Sequence, residues 1–82
     1  MEANVKTRAF ILIETAVGRT REVADSLKGV ENITSLDLVT GPHDIITIVE
    51  APDIISIGDL VTREIHTIRG VLKTVTCIGV GN

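Results

Sequence analysis

The sequence predicts an α+β fold with the element order β-α-β-β-α-β, and two internal echoes predict it. Ser26-Leu27-Lys28-Gly29-Val30 and Thr67-Ile68-Arg69-Gly70-Val71 each end a helical stretch with a basic residue, a glycine and a valine that starts a strand. Phe10-Ile11-Leu12-Ile13-Glu14 matches Ile46-Thr47-Ile48-Val49-Glu50 as an apolar strand ending on a carboxylate. With 82 residues there is room for two such units and little else. This is the ferredoxin-like pattern, a four-stranded antiparallel sheet with two helices on one face. The whole of residues 1–82 reads as a single domain.

The first strand, about Thr7 to Glu14, sets Ala9, Ile11 and Ile13 on one face and Phe10 and Leu12 on the other, so both faces are apolar. The first helix is expected from about Arg19 to Lys28, with Val23 and Leu27 one turn apart facing the sheet and Gly29 as a left-handed cap. Its solvated side carries Arg21, Glu22, Asp25 and Lys28.

The second strand is mixed, with Ser35 and Asp37 interleaved with Leu36 and Leu38. The third, about Asp44 to Ala51, is again apolar on both faces, with Ile46 and Ile48 on one and Ile45, Thr47 and Val49 on the other. For the second helix, Ser56 and Asp59 approximate a capping box. Ile57, Leu60, Val61, Ile65 and Ile68 form its inner stripe, and Gly70 closes it. His66 falls on the outer side with Asp59, Thr62 and Arg63, Asp59 and Arg63 being spaced for an i,i+4 ion pair, and it reads as a surface residue. The fourth strand mixes Lys73 with Thr74 and Thr76.

Apolar first and third strands with mixed second and fourth strands suit a sheet in which the former are central and the latter are edges. Helices cover one face of such a sheet. The other face stays apolar and bare, which calls for a partner. A domain this small buries only roughly 60 to 65% of its unfolded surface, and self-association would repair that deficit.

Composition narrows the function. The net charge is −3 with no cluster of Lys or Arg, which argues against direct binding to a phosphate backbone. A single aromatic, Phe10, leaves no stacking platform for bases. Cys77 is the one cysteine, so neither an internal disulfide nor a metal-ligand pair is available, and it reads as a packed core thiol. No metal or cofactor is expected. No apolar run reaches the length of a membrane span, and Met1-Glu2-Ala3-Asn4-Val5-Lys6 lacks the apolar region of a signal peptide, so a cytoplasmic protein is expected.

Two polar groupings remain. Thr40-Gly41-Pro42-His43-Asp44 links the middle strands, and its residue types suit a hairpin turn. Thr74-Val75-Thr76 puts two hydroxyls on one face of the last strand, where threonine is also a favoured residue. Taken singly, neither grouping points to a ligand.

In this order, a Gly-Val at each helix-to-strand junction, Gly41-Pro42-His43-Asp44 between the middle strands and Thr74-Val75-Thr76 after Gly70-Val71, the chain resembles the C-terminal effector-binding (RAM) domain of Lrp/AsnC transcription regulators. The resemblance runs from about Thr7 to Val80. It implies a domain that dimerises sheet to sheet, assembles into rings of dimers and binds amino acids between dimers. By position, the effector residues it implies are Gly41, His43, Asp44, Thr74 and Thr76. Asp44 would receive the ammonium, and the threonine hydroxyls with backbone N–H groups near Gly41 would take the carboxylate. The family often has an aromatic residue where His43 stands, so that pocket wall differs here.

Family regulators carry a helix-turn-helix module before this domain, whereas about six residues precede the first strand here. The expectation is a stand-alone form that binds a small metabolite and joins full-length regulators in mixed oligomers rather than contacting DNA itself. Two other classes compete. A purely structural assembly module would have much the same sequence. A small cofactor-free enzyme of the ferredoxin-like type would need converging acid-base groups, and only His43, Asp44 and His66 are candidates.

Overall fold

The computed structural model describes residues 6–80. Its elements are β1 (Thr7–Thr15), α1 (Thr20–Leu27), β2 (Ile33–Leu38), β3 (Ile45–Ala51), α2 (Ile54–Leu60) continuing into a π-helical turn (Val61–Ile65), and β4 (Val71–Ile78). The strands form one antiparallel sheet in the order β2-β3-β1-β4. The two apolar strands are therefore central and the two mixed strands are the edges, as their composition requires. The outermost residues of the expected domain, 1–5 and 81–82, lie outside those described.

Strand alternation divides the sheet cleanly. Ala9, Ile11 and Ile13 of β1 and Ile45, Thr47, Val49 and Ala51 of β3 point to the helix side and are buried. They meet Val23, Ala24 and Leu27 of α1 and Ile57, Val61 and Ile65 of the second helical segment in one core. The sole polar side chain at its centre, Thr47, is satisfied by donating to the Ser35 carbonyl at 2.6 Å.

The opposite side of the sheet is uncovered by any described residue. Phe10 stands opposite Ile48, Leu12 opposite Ile46 and Val75 opposite Leu12. All of these are half-buried or exposed. Cys77, opposite Phe10, lies on this same face and is exposed. The expectation of a core thiol is thus corrected. The core occupies one face of the sheet only, and strand parity puts position 77 on the other.

Three local expectations also change. Gly29 is not a left-handed cap: Gly29 N donates to Ser26 O and Val30 N to Leu27 O, so α1 ends by tightening its last turn. The left-handed step comes at Asn32, with φ of 77°. There, the Asn32 carbonyl accepts the Glu50 N–H and its Nδ2 donates to the Glu50 carbonyl.

The cap of α2 is Asp53 rather than Ser56. The Asp53 carboxylate accepts from Ser56 N at 2.8 Å, because the helix starts three residues earlier than the Ser-x-x-Asp pattern suggests. The expected Asp59–Arg63 pair is absent from the ion pairs of the described residues, which are Arg19–Glu22 and Lys28–Asp25. The wider π turn begins at Val61 and breaks the i,i+4 register on which that pair depended.

Candidate functional site

Three connections meet at the Thr15 end of β1: the loop to α1, the β2–β3 turn and the junction from the second helix to β4. Ala16 N donates to Gly70 O at 2.8 Å, which ties the first to the third. The β2–β3 turn is closed by Val39 N donating to Asp44 O, and it is pinned to β1 by Asp44 N donating to Ile13 O, both at 2.9 Å. Every sequence-derived candidate except Thr76 lies at or near this end.

Asp44 is the organising residue of the turn. Its Oδ2 accepts from Thr15 N at 2.8 Å and from Thr15 Oγ1 at 3.2 Å, and Thr15 Oγ1 is 2.7 Å from Thr20 Oγ1. With the Thr15 proton on Asp44, the Thr20 hydroxyl donates to Thr15, giving a chain from the first residue of α1 to the carboxylate. Only 7% of Thr15 is exposed, so the hydrogen bonds to it are sheltered from water. Gly41 and Pro42 are exposed at the tip of the turn, and His43 is half-buried beside it.

Thr74 and Thr76 share one side of β4, opposite Ile13 and Ile11 respectively. Thr74 is half-buried and bonded to His66, with Nε2 2.7 Å from Thr74 Oγ1. Thr76 is exposed. Because Gly79 N donates to Arg8 O, alternation along the ladder turns the backbone N–H and C=O of Thr74 and Thr76 away from β1. The free edge of the sheet therefore offers hydroxyls and backbone groups together.

The expected site residues thus form two groups flanking β1. Asp44 sits on the β3 side of Ile13 and Thr74 on the β4 side, so their backbones are roughly 10 Å apart, two strand spacings. Within one chain the first group is Gly41, His43 and Asp44 with Thr15 and Thr20; the second is Thr74 with His66. Sequence reasoning missed Thr15 and Thr20, whose contact with Asp44 spans 29 positions for Thr15, and it missed the His66–Thr74 bond. A threonine at a strand end and another at the following helix start were the only local hint.

Two adjoining depressions at the opposite end, about 290 Å³ each, share Asn32, Leu60 and Glu64 and lie away from both groups. No group of three or more potential metal ligands occurs among the described residues. No helix among them is long and apolar enough to cross a membrane.

An open apolar sheet face thus adjoins a polar end built on Asp44 with Thr15 and on the His66–Thr74 pair. The sequence matches the family model described as the Lrp/AsnC ligand binding domain over residues 8–80, and the chain belongs to that family. This is a ligand-binding domain of transcriptional regulators, not an enzyme.

An uncharacterized HTH-type transcriptional regulator of Pyrococcus horikoshii is 37% identical over 78 residues, which cover 92% of this chain and 52% of that protein. The chain therefore spans about half the length of the curated relative it matches. A protein from Thermus thermophilus superposes with a TM-score of 0.87 at 27% identity, covering 95% of this chain and 96% of that one. A Neisseria meningitidis transcriptional regulator crystallised as a complex with L-Met gives a TM-score of 0.85 at 20% identity, over 95% of this chain and 52% of its own.

Proposed function

We propose that this domain binds a free amino acid or similar small metabolite, pairs through its open sheet face into dimers that assemble further into a ring, and acts on transcription through association with Lrp/AsnC-type regulators without itself contacting DNA. The observation that carries the reading is the open face. Phe10, Leu12, Ile46, Ile48 and Val75 form a continuous apolar surface in a chain of net charge −3. Such a surface is stable in water when a second one covers it. Arg8 opposite Glu50 and Glu14 opposite Lys73 place both signs of charge at its rim, which suits a symmetric copy.

The effector site would be completed between dimers, where Gly41, His43, Asp44, Thr74 and Thr76 provide acceptors for an ammonium and donors for a carboxylate. The L-Met bound to the Neisseria regulator makes amino acids the first ligands to try.

Thermal unfolding against the common amino acids tests the reading, since a ligand of the folded state at 100 times its Kd adds about 2.7 kcal/mol. A stereospecific rise for one or two amino acids, weakened in Thr76→Ala and Asp44→Ala without loss of the oligomer, is the expected outcome. A flat panel at high millimolar ligand would leave the assembly module as the better reading. One observation favours that second reading: Asp44 and Thr74 already have partners within the chain, Thr15 and His66. The association with regulators is tested by pull-down from native lysate, and recovery of no Lrp/AsnC-type regulator would remove it.

A further inference from the structure

Two irregularities in the backbone converge on one surface depression. The first is the π-helical turn, in which His66 N donates to Val61 O at 2.8 Å, five residues back. The additional residue rotates the rest of the segment by about 100° relative to an α-helix. It carries His66 from the outer side, where a regular helix would leave it, to bonding distance of β4.

The second irregularity is in β4. Glu14 pairs with Lys73 but Thr15 with Val71, so Leu72 has no partner on β1 and bulges, 62% exposed. His66, Val71, Leu72, Lys73 and Thr74 line a depression of about 320 Å³ between the two distortions. That is at the lower end of the range for small-molecule sites. Both π turns and bulges give up regular hydrogen bonding, and both are found where a side chain must be re-aimed. Here both re-aim toward the same place.

We propose that this depression is the carboxylate subsite of the effector site and that His66 is one of its binding residues. The inference rests on the amino-acid reading above and adds a residue and a location to it. The chemistry follows from the 2.7 Å contact between His66 Nε2 and Thr74 Oγ1. These two atoms share one hydrogen. When Nε2–H donates to Thr74, the threonine hydroxyl is left free to donate outward, and a carboxylate oxygen is the acceptor that selects this arrangement. The backbone N–H of Thr74 faces the same free edge, and the bulged Leu72 forms an apolar wall for the remainder of the ligand. Thr76, two residues further along, does not line this depression and belongs to another part of the site.

The experiment uses the full chain and the panel amino acids, with the corresponding amino-acid amides as probes that lack the carboxylate. The expected result is binding of the acid, at least tenfold weaker binding of its amide, and tenfold or greater loss in His66→Ala with substantial recovery in His66→Gln. In the double substitution His66→Ala, Thr74→Val the loss does not exceed that of the worse single variant, because the two residues act as a pair.

The ring protons of His66, followed by NMR in the unaltered protein, shift on titration with the acid and give a readout independent of any variant. Equal affinity for acid and amide, or undisturbed His66 signals with wild-type affinity in His66→Ala, overturns the subsite while leaving amino-acid binding intact. Absence of any binding in the unaltered chain overturns both readings at once.

Discussion

At the residue scale, single carboxylates hold the chain's connections in place. Asp44 bridges the β2–β3 turn to the end of β1 by accepting from both the amide and the hydroxyl of Thr15. Asp44→Ala leaves a sheltered N–H unpaired and is expected to destabilise the fold by about 1–3 kcal/mol, measured as a lower urea midpoint with unchanged slope. Ligand effects of that variant must accordingly be read as affinity and not as loss of Tm. Asp53, the cap of α2, is held below the ordinary carboxylate range mainly by the hydrogen bond from Ser56 N, seconded by the Ser56 side chain. A carboxyl depressed in the folded state contributes stability above its unfolded value of about 4, and loses it as pH falls through the lower folded value. Asp53→Asn keeps a capping acceptor but removes this titration. Its stability curve should therefore be flatter than wild type on the acid side of pH 4, and identical acid limbs would contradict the assignment.

At the element scale, the two glycines that end the helical segments look equivalent in sequence and are not. Gly70 has φ of +103°, and a Cβ there would meet Val23 Cγ2 at 2.9 Å and Arg19 Cβ at 3.1 Å. Gly29 has an ordinary backbone, and the nearest atom to a built Cβ is Ser26 O at 3.7 Å. Gly70→Ala should thus cost about 2 kcal/mol or more through strain and displacement of α1, while Gly29→Ala should be neutral or add about 0.5 kcal/mol. Paired thermal melts decide this, and equal losses at both sites would refute it. The contrast marks how far local pattern reaches. Alternation revealed β1 and β3 and their buried sides, because the period of two survives any context. The inner stripe Ile57, Val61 and Ile65 was equally legible. The π turn was not, since a one-residue insertion in hydrogen bonding leaves the spacing of apolar residues almost unchanged. With it went the Asp59–Arg63 pair and the approach of His66 to Thr74. The Asp53 cap was hidden by a second plausible capping pattern three residues downstream. The turn Gly41 to Asp44 could be found by composition, but its partners Thr15 and Thr20 lie across a tertiary contact.

At the scale of the whole molecule, the open sheet face is the feature on which the proposed pairing rests. The core between sheet and helices is built from aliphatic side chains of modest size, and Phe10, the one aromatic residue of the chain, is on the outer face instead. Folding and association should therefore be linked, with Tm rising with protein concentration. Leu12 stands near the centre of that face, between Ile46 on β3 and Val75 on β4. In a symmetric pair every position is present twice, so Leu12→Asp sets two unpaired carboxylates within one apolar interface. We expect at least a hundredfold weaker dimerisation, about 2.7 kcal/mol, seen as a shift to monomer mass in sedimentation at micromolar concentration. Arg21→Glu on the exposed side of α1 is the control that should leave the dimer in place. Because Leu12 points away from the helices, its replacement leaves the buried cluster of Ile11, Ile13, Ile45 and Leu27 untouched, and the far-ultraviolet spectrum should keep its native form. A monomeric wild type at tens of micromolar, or an unchanged mass for Leu12→Asp, would mean that the sheet-to-sheet pairing is wrong.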